Sequence, residues 1–332
     1  WEEEEGQKIG CNANNLFARL LATKAGLPTI FFSAHFDTVE PTAGLVIEER
    51  DGVFYSASDT ILGADDKAGM APAIEAVRCL MESGCEHGEV LLLLSVSEEI
   101  GLKGAEAMDL KDLNIDYGFV LDTGPPVGSF VNRTATHDKL DIKITGRPAH
   151  AGKHPEEGIN AIQVAAAAIH GMKLGRIGPE TTANLGIIQG GTGTNVVCPS
   201  VEIWAEARST STEDLDAQVG HMIQRFEEAA REFGATVTIH HKRHYRAYFV
   251  PEDSAVVQVA QTASHNLGFT PEMRTTLGGS DANVFNAVGV PSIVVATGMD
   301  KIHTHDEYVS RKDLVDLTRL CIELALVAAE GA

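Results

Sequence analysis

At 332 residues the chain is about two domains long, because a single hydrophobic core stops growing beyond roughly 250 residues. A composition of 44% hydrophobic and 22% charged residues, with 32 Gly and 12 Pro, excludes a disordered chain and a fibrous repeat. With 26 Lys and Arg against 47 Asp and Glu the net charge is −21, which repels nucleic-acid phosphate and anionic lipid and argues against both as partners.

The chain starts with Trp1 and the acidic run Glu2, Glu3, Glu4, Glu5, without an initiator Met or a signal-peptide pattern. Five cysteines, odd in number and without a C-x-x-C pair, indicate neither a disulfide framework nor a thiolate zinc site, so a reducing, cytoplasmic compartment is expected. The first buried strand is predicted at 29–34. An acidic loop at 63–69 then precedes a predicted helix over 71–81, followed by strands at 90–94 and 117–121. The run at 90–94 is far short of the ~18 residues that a membrane span requires. From about residue 136 the rhythm changes: a strand at 140–144, a helix at 160–172, strands at 183–189 and 201–207, a helix at 212–233 and a strand at 236–240. That β-α-β-β-α-β order is the ferredoxin-like arrangement. A helix at 254–267 and a strand at 292–296 resume the first pattern. The expectation is an α/β domain with a mixed, mostly parallel sheet, formed by 1–135 plus 249–332, carrying an inserted α+β domain at 136–248.

In open α/β sheets ligands collect outside the carboxyl ends of the strands. The first strand is followed by His35-Phe36-Asp37, whose spacing of two points His35 and Asp37 to the same side. The second is followed by Glu98-Glu99, the third by Asp122, and the fourth by His303 and His305. Each alone reads equally as a turn, a cap or a solvated face, but four successive strand ends offering imidazole or carboxylate point to a metal site. Asp65-Asp66 in the acidic loop adds a carboxylate able to bridge two cations. A sulfur-free His and carboxylate set suits Zn²⁺ and also Mn²⁺ or Co²⁺.

The strings Ser33-Ala34-His35-Phe36-Asp37-Thr38-Val39, Gly63-Ala64-Asp65-Asp66-Lys67-Ala68-Gly69 and Ser97-Glu98-Glu99 resemble the dinuclear zinc peptidases that include peptidase T, aminoacylase and bacterial carboxypeptidase G. The run Ala64 to Gly69 is most similar to the peptidase T branch. The resemblance implies His35 and Asp122 on one metal, Glu99 and His303 on the other, and Asp65 bridging both. Asp37 would orient His35, Glu98 would be the general base, and the peptide bond after Asp65 would be cis. His303 is preferred to His305 because it keeps the family spacing to Glu307. The inserted domain would form a homodimer in which His150 reaches the neighbouring site and stabilises the oxyanion. Asn195 would bind substrate, and Arg208 would hold a substrate carboxylate or form a surface ion pair. Gly279, in Gly278-Gly279-Ser280-Asp281, would belong to a substrate-side loop, for which helix capping by Ser280 is an equal account. His240, His241 and His244 read as surface or structural.

The family has a further helix and strand ahead of the first metal strand, so N-terminal sequence is expected to be lacking. The implied activity is hydrolysis of short peptides, as an aminopeptidase or tripeptidase, by a water activated by the two metals with Glu98 as its base. An N-acyl-amino-acid amidohydrolase or carboxypeptidase is the alternative, and an inert peptide-binding relative is the alternative of another class. A serine hydrolase is disfavoured because no G-x-S-x-G elbow is present.

Overall fold

The structure, a computed structural model, describes residues 9–331, so the glutamates Glu2 to Glu5 lie outside the described residues. The elements in chain order begin with β1 (Leu16–Leu20), β2 (Ile30–His35), β3 (Ile47–Arg50), β4 (Val53–Ser56), α1 (Ala64–Ser83), β5 (Val90–Ser95), α2 (Lys103–Ala107), β6 (Tyr117–Thr123) and β7 (Ser129–Arg133). Next come β8 (Thr136–Thr145), α3 (Ala161–His170), β9 (Gly175–Gly178), β10 (Thr181–Gly190), β11 (Ser200–Ser209), α4 (Thr212–Phe233) and β12 (Thr236–Tyr245). The remaining elements are α5 (Ala255–Asn266), β13 (Glu272–Thr275), α6 (Asp281–Ala287), β14 (Ser292–Ala296), β15 (Tyr308–Ser310) and α7 (Arg311–Glu330). They form two compact units, one running to Arg133 and taking in Tyr248–Thr276 and the chain from Ser280, the other Thr134–Ala247 with Leu277–Gly279.

The first unit is built on a seven-stranded sheet in the order β1-β5-β2-β6-β14-β7-β13. Its centre, β5, β2, β6 and β14, is parallel, and the two antiparallel pairings, β1 on β5 and β7 on β14, make the sheet mixed. All residues of β2, β5 and β14 are buried, as expected where helices cover both faces of a parallel sheet. Phe31, Phe32, Phe119 and Phe285 fill the core, with Phe31 and Phe285 edge to face at 4.9 Å. These four central strands are the ones legible as apolar runs. The sequence reading misses β1, half exposed at the sheet edge, and the small sheet β15-β4-β3. A signal for β3 and β4 is present, because Asp51 and Gly52 both adopt positive φ, 51° and 79°, and form the two-residue turn between them. The helix expected from residue 71 reaches back to Ala64, with Asp65 and Asp66 outside helical φ and ψ. The Asp65–Asp66 peptide is cis, as the resemblance implies.

The second unit carries an antiparallel sheet in the order β12-β8-β11-β10-β9. With its four long strands numbered along the chain the order is 4-1-3-2, the ferredoxin-like one, and β9 is an added edge strand. Along β11 Val201, Ile203, Ala205 and Ala207 are buried, and they share a core with Val164 of α3 and Leu215, Met222 and Phe226 of α4. The helix α4 starts and stops where its caps dictate: Ser211 accepts from the Asp214 N–H, and Gly234 takes φ 71°. Among the described residues, no helix is long and apolar enough to cross a membrane.

Candidate metal centre

In the first unit, His35 ends β2, Glu98 and Glu99 follow β5, and Asp122 stands near the end of β6. Asp65 enters from the start of α1 and His303 from the segment between β14 and β15. The Asp65 carboxylate faces two ways, with Oδ1 3.0 Å from His35 Nε2 and Oδ2 3.2 Å from His303 Nε2. His35 Nε2 is also 4.0 Å from Asp122 Oδ1, and His303 Nε2 is 3.3 Å from Glu99 Oε1. Three overlapping sets result, His35 with Asp65 and Asp122, Asp65 with Glu99 and His303, and His35 with Glu98 and Glu99, their ligand atoms within 4.8 Å of one another. His305 turns elsewhere, to Glu40 at 2.9 Å and Asp59 at 3.4 Å.

Backbone hydrogen bonds hold these side chains in place. Glu307, buried, accepts from the N–H groups of Gly63 and Asp65 at 2.7 and 2.9 Å and so fixes the loop that delivers Asp65. Asp66, fully buried, accepts from His35 N and Gly69 N at 3.2 and 3.1 Å, tying the end of β2 to α1. At Gly69 a Cβ would stand 2.2 Å from the Leu121 carbonyl oxygen, so glycine lets α1 lie against the strand that presents Asp122. The sequence reading has Asp37 orient His35, and in the structure the backbone of Asp37 stands closer to the ring than its carboxylate does. His35 Nδ1 lies 3.0 Å from the backbone oxygen of Asp37, while the Asp37 carboxylate is 3.7 Å away and accepts from the N–H groups of Glu98 and Glu99 at 3.0 and 3.1 Å. A period of two sets the side on which a carboxylate points, not the partner it reaches. Glu307, Asp66 and the buried Asp281, which accepts from Ser95 Oγ, were not assigned such roles from sequence.

The sequence pattern that defines peptidase family M20/M25/M40 matches residues 31–326. The chain belongs to that family. It is 40% identical over 329 residues to the uncharacterized protein YqjE of Bacillus subtilis (strain 168), covering 99% of this chain and 88% of that one. The solved aminopeptidase PepT of Bacillus cereus ATCC 10987 superposes with a TM-score of 0.89 at 41% identity, covering 99% of this chain and 88% of its own. A tripeptidase of Staphylococcus aureus subsp. aureus mu50 gives a TM-score of 0.93 at 36% identity with the same coverage, 99% and 88%.

The electrostatics of this M20/M25/M40 metallopeptidase call for cations. Burial pushes the carboxyls of Asp122, Asp66 and Glu98 well above the usual range, and neighbouring carboxylates add to the shift. Burial opposes the charge of Asp65 too, but His303 and His35 hold it well below the carboxylate range. His303 is pushed up to about 10 by its hydrogen bond to Asp65 and by the adjacent Glu99 carboxylate. For His35 burial opposes the charged form, yet Asp65 and the surrounding carboxylates raise it overall. Glu99 Oε1 is buried without a well-formed hydrogen bond. An orphaned carboxylate oxygen, crowded carboxylates and two imidazoles sharing one aspartate fit a pair of divalent cations, which would take the place of the extra protons.

The other predicted residues lie in the second unit. His150 and Asn195 come together there, since His150 bridges Val196 and the Ala151 N–H donates to the Asn195 carbonyl at 2.9 Å. Both are exposed. Arg208 is engaged by Glu206, Tyr245 and Leu277. Gly279 packs on Tyr245, where a Cβ would fall 2.2 Å from the ring, so the requirement for glycine is one of space. Ser280 caps α6, accepting from the Ala282 N–H and forming a capping box with Asn283. Of the remaining histidines, His241 pairs with Asp138 at 2.7 Å and His244 lies edge-on to His137.

Proposed function

We propose that the protein hydrolyses short peptides as an aminopeptidase or tripeptidase, with two divalent metal ions held by His35, Asp65, Glu99, Asp122 and His303. The observation that carries the reading is Asp65, with one carboxylate oxygen directed at each of two histidines on separate elements. His35 and Asp122 would hold one ion, Glu99 and His303 the other, and Asp65 both; Zn²⁺ suits this set, as do Mn²⁺ and Co²⁺. When bound, such ions supply Lewis acidity and lower the pKa of water.

The chain's own residues do the proton transfer and the positioning. Glu98, raised by burial and by the nearby Asp281 carboxylate, takes the proton of the attacking water at its carboxylate and returns it to the leaving amine. The Asp37 carboxylate, hydrogen-bonded to the backbone at Glu98 and Glu99, keeps the base and a ligand in register. His150 supplies a donor to the developing oxyanion and Asn195 a substrate contact, within a homodimer formed through the inserted unit. Support for the substrate class comes from the aminopeptidase and tripeptidase similar to this chain over 99% of its length.

The test is incubation of the metal-reconstituted protein with a tripeptide and with its N-acetylated form, with products identified by mass spectrometry. Release of the first residue from the free peptide alone is expected. Cleavage of the acetylated peptide only, or at the C-terminal bond, overturns the aminopeptidase reading in favour of a deacylase or carboxypeptidase.

A further inference from the structure

In the first unit the Asp281 carboxylate is buried without belonging to the ligand set. Asp281 is the first residue of α6 and 2% exposed, and its Oδ2 accepts a hydrogen bond from the Ser95 hydroxyl, 186 residues away in the chain. Its Oδ1 is also buried and has no hydrogen-bond partner among the described residues. A buried carboxylate with one such bond is costly to keep. Capping of α6 does not account for it, because Ser280 and Asn283 already form the capping box. The dipole of a seven-residue helix returns less to a first-turn carboxylate than its burial costs.

Ser95 ends β5, three positions ahead of Glu98, and the backbone that follows it is fastened at successive points. The Ser95 carbonyl accepts from the Phe36 N–H at 2.8 Å, and the Val96 N–H donates to Asn15 Oδ1 at 3.1 Å. The N–H groups of Glu98 and Glu99 donate to the Asp37 carboxylate at 3.0 and 3.1 Å. The turn beyond needs such fastening, because Ser97 and Leu102 take φ of 59° and 58°, a left-handed conformation that residues with a side chain rarely adopt. Its N–H groups at Gly101 and Leu102 both donate to the Glu98 carbonyl at 2.8 Å. Two carboxylates thus anchor the stretch, Asp37 from the neighbouring strand end and Asp281 from α6. The Asp281 charge also acts on Glu98 more strongly than that of any other residue, so the two carboxylates are near neighbours.

We propose that Asp281 is a positioning residue for the base: through the Ser95 hydroxyl it anchors the end of β5, so that the strained turn presents the Glu98 carboxylate in a single orientation. The proposal rests on the reading of Glu98 as the general base of a peptidase. Asp281 acts through Ser95 and Glu98 and touches neither substrate nor metal. Its contribution is carried by the oxygen that accepts from Ser95, so a side chain of the same shape with an acceptor oxygen at that place serves as well.

The experiment compares metal-loaded wild type, Asp281→Ala, Asp281→Asn and Ser95→Ala on a tripeptide, and adds Asp281→Ala to Glu98→Gln. Metal content and backbone hydrogen exchange at Glu98 and Glu99 are measured on the same preparations. Asp281→Ala and Ser95→Ala are expected to lower kcat by about tenfold, the worth of one hydrogen bond to a charged group, with KM and metal content unchanged. Asp281→Asn, which keeps an acceptor for Ser95, is expected to stay within about threefold of wild type. In the Glu98→Gln background Asp281→Ala is expected to cause no further loss, because a residue that acts through the base then has nothing left to position. Exchange at Glu98 and Glu99 is expected to quicken in Asp281→Ala and to stay near the wild-type rate in Asp281→Asn. The proposal is overturned if Asp281→Asn falls as far as Asp281→Ala, if the losses from Asp281→Ala and Glu98→Gln multiply, or if exchange does not change. Should Asp281→Ala fail to fold, Ser95→Ala removes only the hydroxyl and carries the same readouts. If the wild type releases nothing from the tripeptide, it is the peptidase reading that fails, and the exchange measurement still decides the positioning role.

Discussion

Glu307→Ala probes the support of the centre without touching a proposed ligand. The Glu307 carboxylate is 1% exposed and accepts from two backbone N–H groups, Gly63 at 2.7 Å and Asp65 at 2.9 Å. A hydrogen bond to a charged group is worth about 1.5–3 kcal/mol, and a buried donor left without a partner loses most of that. Two such bonds give an upper range of about 3–6 kcal/mol, reduced because burial pushes the Glu307 carboxyl up and its removal relieves that desolvation. The expected loss is therefore about 3 kcal/mol for Glu307→Ala and about half of that for Glu307→Gln, which keeps an acceptor oxygen. Urea unfolding of the chelator-treated protein measures the loss free of any metal contribution, and hydrogen exchange at Gly63 and Asp65 localises it. A change under about 1 kcal/mol, or equal effects of Ala and Gln, would refute the assignment of Glu307 as the acceptor that fixes the Asp65 loop.

Glu98→Gln is expected to lower kcat by about 10²–10⁴-fold with the metal content unchanged, read by turnover and elemental analysis of one preparation; near wild-type turnover removes Glu98 as the base. His303→Ala is expected to lose about one metal equivalent and His305→Ala none, because His305 is directed at Glu40 and Asp59; equal losses would count against His303. The histidine pKa raised to about 10 at His303, like the raised carboxyls of Asp122 and Glu98, contributes stability to the metal-free protein that is complete on the acid side and lost as pH rises through the folded value. Thermal unfolding of chelated protein should accordingly fall from about pH 6.5 to pH 10, while metal binding tightens and releases protons over the same window. A rising Tm in that interval would contradict the sign. Gly69→Ala places a Cβ 2.2 Å from the Leu121 oxygen and should cost about 1–3 kcal/mol in unfolding, with weaker metal retention from the displacement of α1 against the Asp122 strand.

The legible parts of this molecule are those in which residue type and chain position coincide. Strands buried on both faces must be apolar runs, and ligands gathered at their carboxyl ends must be imidazoles and carboxylates, so β2, β5, β6 and β14 and the cluster His35, Glu98, Glu99, Asp122 and His303 could be read without coordinates. The short strands β1, β3 and β4 are half exposed, and their composition is set by the solvent side as much as by the core. What holds the ligands is less legible for a different reason. Asp37, Asp66 and Glu307 act on backbone N–H groups, which every residue other than proline carries, so nothing in the partner's identity marks the pairing. Arg208 shows the same limit from the other side: Glu206, its neighbour two positions away on a strand, is visible in the sequence, but Leu277 lies 69 residues on and only folding brings it within reach. An arginine beside a glutamate on one strand face is thus ambiguous between a held carboxylate from outside and one from within.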